Sequence, residues 1–123
     1  MASSSITVVT KADANVVFTL VGNTSQGASY KDVTRDLSVP RTLDFQYFIG
    51  NPGALGNDRM VITFRDSRLD TALGKVVTAQ VKVEASVPRA AAITSTVVED
   101  LLAHVCSLLT DARCENVADA VVP

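Results

Sequence analysis

Residues 75–87 read KVVTAQVKVEASV and are followed by Pro88. Val77, Ala79, Val81, Val83, Ala85 and Val87 recur at every second position, with Thr78, Gln80, Lys82, Glu84 and Ser86 between them. Strand side chains alternate sides with period two, so this run is a strand with one apolar and one polar face. At about 3.3 Å per residue its thirteen residues extend some 40 Å, long for a chain of 123 residues. Pro88 lacks an amide donor and ends the run.

The same alternation appears upstream. In residues 59–65 (RMVITFR), Met60, Ile62 and Phe64 oppose Arg59, Val61, Thr63 and Arg65. In residues 41–49 (RTLDFQYFI), Leu43, Phe45, Tyr47 and Ile49 oppose Thr42, Asp44, Gln46 and Phe48. Residues 5–10 (SITVVT) and 16–21 (VVFTLV) form a hairpin, and residues 28–34 a weaker strand. Residues 66–74 read as a polar loop, and the glycines at 22, 27, 50, 53 and 56 mark others.

After Pro88 the period changes. Val97, Val98, Leu101, Leu102, Val105, Cys106, Leu108 and Leu109 recur at three- and four-residue intervals, giving an amphipathic helix. Thr96 and Glu99 have capping-box spacing and place its start at Thr96. Asp111 is positioned to cap a second helix, from Ala112 to about Val121. Strands first and helices last predict an α+β fold. The expected organisation is one domain over 1–123: an N-terminal β-hairpin (1–24), an antiparallel sheet of about five strands (25–88) and two C-terminal α-helices (94–123).

The areas of these layers do not match. A helix of 14 residues is about 21 Å long and 10 Å wide. Five strands about 4.8 Å apart span about 24 Å. One main helix leaves apolar sheet uncovered, which predicts a second copy as the remaining cover. Charge is also divided. Residues 94–123 carry a net −4, with Arg113 against Glu99, Asp100, Asp111, Glu115 and Asp119; the rest of the chain carries +2. The overall charge of −2 excludes a strongly basic nucleic-acid-binding domain but leaves room for one mildly basic face. No apolar run reaches the roughly 18–20 residues of a membrane span, and no signal peptide is expected.

Catalytic and metal chemistry find little support. His104 is the chain's single histidine, two positions from Cys106 on the helix, where side chains do not face one another. Cys106 falls in the apolar stripe and reads as a small hydrophobe; whether Cys114 bonds to it stays open. Asp66 and Asp70 alternate with Arg65 and Arg68 and read as solvated charges rather than a catalytic pair. The glycine loops lack the Gly-Lys-Ser/Thr of a phosphate loop. The chain is expected to be no enzyme and to need no cofactor. The polar sheet face is the better candidate: Arg59, Thr63 and Arg65 fall beside Thr78, Gln80 and Lys82 if their strands pair. Cations, hydroxyls and amides on an open sheet suit RNA backbone and base edges.

The order of elements resembles the coat proteins of the single-stranded RNA bacteriophages, the leviviruses, over nearly the whole chain. The local match is Glu84-Ala85-Ser86-Val87-Pro88, similar to the Glu-x-Thr-Ile/Val-Pro type ending of that family's last strand, with a helix following at the right distance. The resemblance implies a homodimer whose sheets join edge to edge and whose helices cover the partner's sheet through Val97, Leu101, Leu102, Val105 and Leu108. It implies assembly of dimers into a T=3 icosahedral shell, in a virion formed in a bacterial host's cytoplasm. The loop at 66–74 would meet neighbouring copies, without cysteine cross-links. The inner face would hold single-stranded genomic RNA through Arg59, Thr63, Arg65, Gln80, Lys82 and Gln46. Gln80 stands where family members often carry a stacking tyrosine. The rival expectation is a small dimeric α+β binding module that forms no shell.

Overall fold

A computed structural model describes residues 4–10, 14–50 and 56–109. The strands are β1 (Ser5–Val9), β2 (Asn15–Thr24), β3 (Gly27–Asp32), β4 (Arg41–Phe48), β5 (Asn57–Asp70) and β6 (Lys75–Pro88), followed by helix α1 (Ser95–Leu108). All six strands form one antiparallel sheet in sequence order. The expected hairpin is therefore no separate unit: β2 pairs with both β1 and β3, and the sheet has six strands rather than about five.

The register carries the alternation across the sheet. Leu43 lies opposite Phe64 and Phe64 opposite Val81; Phe45 lies opposite Ile62 and Ile62 opposite Val83. Tyr30 lies opposite Leu43, and Leu20 opposite Tyr30. Directly opposed residues share a face, so the apolar positions form one layer. Phe18, Tyr30 and Leu43 are its buried centre, packed against Ile6, Val8, Val16, Leu20, Phe45, Ile62 and Phe64.

The sheet is strongly curled. Phe18 on β2 and Phe64 on β5 are three strand spacings apart, about 14 Å on a flat sheet. Their rings meet edge to face with centroids 6.0 Å apart. Curling folds β1 and β2 over the apolar face, so part of the cover that the areas demand comes from the hairpin. Gly27 sits where β3 closes on β4: a Cβ there would lie 2.0 Å from the Phe45 carbonyl oxygen.

Two sequence expectations are corrected. The predicted loop at 66–74 is mostly strand, because β5 continues to Asp70, opposite Lys75. Polar composition signalled a loop, yet an uninterrupted partner strand supplies backbone hydrogen bonds whatever the side chains. Only residues 71–74 turn. An Asp70 carboxylate oxygen accepts from the Ala72 and Leu73 amides (2.9 and 3.2 Å), and Gly74 takes φ +68°. The helix starts earlier than expected, with Thr94 as N-cap and no side-chain capping bond. Glu99 is then too far into the helix to close a capping box. The second predicted helix, 112–121, lies outside the described residues.

The helix also leaves its own sheet bare. No residue of α1 is buried. Val81 on β6 is 67% exposed and Leu101 on α1 is 60% exposed. Its side chains Val97, Leu101, Leu102 and Val105, with Ile93, face Val83, Ala85 and Val87 across an open groove of about 310 Å³. Arg89, just after β6, is tied to the sheet: its Nη2 donates to Asp58 Oδ1 at 2.8 Å and its amide to the Gly56 carbonyl at 2.8 Å.

Two outcomes follow from this packing. Phe18→Ala removes the ring that joins the two ends of the curl and should cost about 3–5 kcal/mol in denaturant unfolding. Stability should also fall in acid. The Thr34 hydroxyl lowers the pKa of Asp32, and the Arg89 guanidinium lowers that of Asp58. Burial raises that of Asp66, but bonds from Arg68 and Arg35 outweigh it and lower the net value. A lowered native pKa gives stability that is complete above the unfolded value of about 3.9 and is lost as pH falls through the native value. Urea unfolding from pH 7 to pH 2.5 should show the loss beginning only near pH 4.

Candidate nucleic-acid interface

The face opposite the core is laid out by the same register. Thr42, Arg65 and Gln80 form one cross-strand row, and Asp44, Thr63 and Lys82 the next. Gln46, Val61 and Glu84 form a third, and Phe48, Arg59 and Ser86 a fourth. All six predicted contact residues therefore share one side of β4, β5 and β6. Ser29 and Lys31 extend this face onto β3, opposite Asp44 and Thr42. The sequence reading missed Lys31; its signal was the buried Tyr30 beside it, which turns residue 31 to the other side.

The cations on this face are not equivalent. Arg65 Nη1 meets Asp44 Oδ2 at 2.6 Å, and its Nε donates to Gln80 Oε1 at 3.3 Å. Arg59 pairs loosely with Glu84 at 3.8 Å, and its guanidinium carbon lies 4.5 Å from the Phe48 ring centroid. Cations attract the negative face of an aromatic ring, so Phe48 and Arg59 hold each other flat on the sheet. Lys82 is exposed and has no ion pair among the described residues. Its ammonium is the charge on this face most available to an incoming anion. Counting Lys31, four cations stand against two carboxylates.

Burial separates these residues further. Thr63 is only 3% exposed and Val61 8%. The long side chains around them close over the centre of β5. Gln46, Gln80, Lys82 and Arg59 are exposed, and Arg65 is partly so. The reachable surface is thus a rim of amides and cations around a covered threonine.

The residues considered for catalysis are scattered. His104 and Cys106 lie exposed on α1. Asp66 is engaged by Arg35 and Arg68, while Asp70 holds the 71–74 turn. No three metal-ligating side chains converge among the described residues. Val97, Leu101, Leu102, Val105 and Leu108, the expected dimer contacts, all lie exposed on α1. Among the described residues, the outer edge of β6 has no strand beside it along its fourteen residues.

A curled six-stranded antiparallel sheet, open on its polar face and followed by a helix that leaves its own core, is the architecture of a known class of coat proteins. The chain is similar to a virus-like particle of bacteriophage ESE020, with 19% identity over 99% of this chain and 96% of that one, at a TM-score of 0.68. It is also similar to a virus-like particle of Beihai levi-like virus 32 (18% identity, 87% and 85% covered, TM-score 0.69) and to the coat protein of bacteriophage EMS014 (13%, 89% and 74%, 0.67). No protein-family profile and no curated protein sequence matches the chain. At these identities the shared property is the fold: the chain has the phage coat-protein fold that its sequence resembles.

The face makes an electrostatic prediction independent of assembly. Asp44→Asn removes a carboxylate and releases Arg65, so the protein should leave immobilised heparin at higher salt than the parent. Lys82→Gln removes the unpaired cation and should leave at lower salt. Equal elution of all three proteins would mean that this face does not set polyanion affinity.

Proposed function

We propose that this chain is a structural coat protein that pairs with a second copy and assembles into a closed T=3 icosahedral shell around single-stranded RNA. The observation that carries the reading is α1. An isolated helix of 14 residues is marginal in water, and this one has no side-chain capping bond at its start and no buried residue. Its apolar side chains therefore need cover that its own sheet does not give. A twin would supply it: the two β6 edges pair, each α1 crosses to the partner's sheet, and both exposed apolar layers close at once. The polar face then lies on the side away from the helices, where it meets RNA inside the shell. Lys82, Arg65, Arg59, Gln80 and Gln46 make the contacts, and Thr63 supports them from below. α1, with Glu99 and Asp100, faces outward. The neighbours in virus-like particles support the self-assembling role, and this reading places the protein in a virion formed in the bacterial cytoplasm.

Electron micrographs of the expressed full chain test it. Uniform spheres are expected, and dispersed small dimers would leave only a binding module. Within spheres, Lys82→Gln should lower the RNA content, read from the ratio of absorbance at 260 and 280 nm, and make RNA retention less sensitive to salt. Dimer formation should be unchanged. Unaltered RNA content for Lys82→Gln and Arg65→Gln together would overturn the assignment of the inner face.

A further inference from the structure

The apolar face of the sheet ends in a knot of charge. Arg41 on β4 lies opposite Asp66 on β5, on the side that holds Leu43 and Phe64. Asp32, at the end of β3, is buried beside them. Arg35 reaches in from the β3–β4 connection; its Nη2 donates to Asp66 Oδ1 at 2.6 Å and to the Ser67 carbonyl at 2.8 Å. Arg68 Nη2 donates to Asp66 Oδ2 at 3.1 Å.

Arg41 is left short of partners. Its nearest carboxylate contacts are Asp66 at 3.5 Å and Asp32 at 3.8 Å, well beyond the about 2.7–2.9 Å of a charge-assisted hydrogen bond. Its Nε is buried and has no acceptor among the described residues. A guanidinium carries five N–H donors, and unpaired donors out of water are costly. Three arginines stand against two carboxylates, an excess of one positive charge. Arg35, Arg41 and Arg68 line, with Val39 and Leu69, an open cavity of about 530 Å³. The cavity is built to receive an anion, and its apolar walls suit a protein side chain.

The two-fold symmetry says where that anion comes from. If two β6 edges pair antiparallel, the Val83–Pro88 end of one copy lies beside the Lys75–Gln80 end of the other. Each α1 runs along the Val83–Pro88 end of its own strand. In that pairing the partner's α1, which residues 110–123 follow in sequence, is delivered toward the end of this sheet. That is where Ala79 lies opposite Asp66 and Val77 opposite Arg68. Residues 110–123 carry Asp111, Glu115 and Asp119 against one cation, Arg113.

We propose that the Arg35–Arg41–Arg68 cluster is completed by a carboxylate from residues 110–123 of a second copy, so that each copy holds the other through this pocket. The inference rests on the paired-copy reading above and goes beyond it by naming the polar contact that fixes the pair. The cluster lies on the side of the sheet away from the polar face, so an RNA phosphate is the weaker occupant.

The test measures the dimer dissociation constant of the full chain by sedimentation at about 50 and 500 mM NaCl. The donor side is removed by Asp111→Asn, Glu115→Gln and Asp119→Asn together. The acceptor side is removed by Arg41→Gln and, separately, by Arg68→Gln, whose side chain is 67% exposed and tolerates change without unfolding. Each side should weaken the dimer on the order of tenfold at low salt, with the parent's salt dependence lost. Combining the donor and acceptor changes should weaken it no further than either alone. A donor variant that dimerises within about twofold of the parent overturns the inference while leaving the paired-copy reading intact. So does a loss of RNA from Arg41→Gln particles at unchanged dimer affinity, which makes the pocket a phosphate site. A parent chain that stays monomeric at every concentration overturns both.

Discussion

The structure depends on burying an apolar sheet face that the described residues of one chain cover only in part. Apolar side chains alternate regularly across β4, β5 and β6, and the inward positions from Met60 to Phe64 and from Val77 to Val87 are apolar, bounded by Asp58 at one end of β5 and by Arg41 and Asp66 at the other. The chain meets the demand in two ways. At one side of the sheet it curls, bringing the Phe18 ring against Phe64. At the other, β6 and α1 both present apolar side chains to solvent, next to an unpaired strand edge. The first solution is complete within the chain. The second leaves apolar surface open among the described residues, and a second copy is the cover proposed for it.

Much of the sheet was legible because period-two alternation is a local signal. Leu43, Phe45 and Tyr47, or Val81, Val83 and Ala85, announce their face without knowledge of their neighbours, and the register then followed. The far end of β5 was not legible. Arg65, Asp66, Arg68 and Asp70 look like a solvated loop, and only the length of β6 opposite them makes them strand. Their charges become intelligible in three dimensions, where Asp66 collects Arg35 from the preceding connection and Arg68 from its own strand. The curl was equally hidden, because it arises from contacts between strands that are not neighbours. At the helix, the Thr96–Glu99 spacing pointed to a cap that Thr94 takes instead. A capping box is a statement about two hydrogen bonds, and spacing alone does not make them.

The polar face was legible in its membership and not in its hierarchy. The sequence placed Arg59, Thr63, Arg65, Gln80 and Lys82 on one side, and the register agrees. It gave no means of telling that Arg65 is held by Asp44, that Arg59 lies over Phe48, or that Thr63 is shielded. These are consequences of which residues lie directly across from one another. They divide a uniform-looking set of polar residues into a pinned pair, an unpaired lysine and a covered hydroxyl.

The link between Arg89 and Asp58 has an entropic meaning. It anchors the first residue after the last strand through a guanidinium–carboxylate contact and a backbone bond to Gly56. The root of the segment that carries α1 is therefore fixed to the sheet. In the proposed pairing, two copies would spend less conformational freedom on joining than two with loosely hinged helices. Loosening this anchor would then weaken pairing without touching a single contact between the partners.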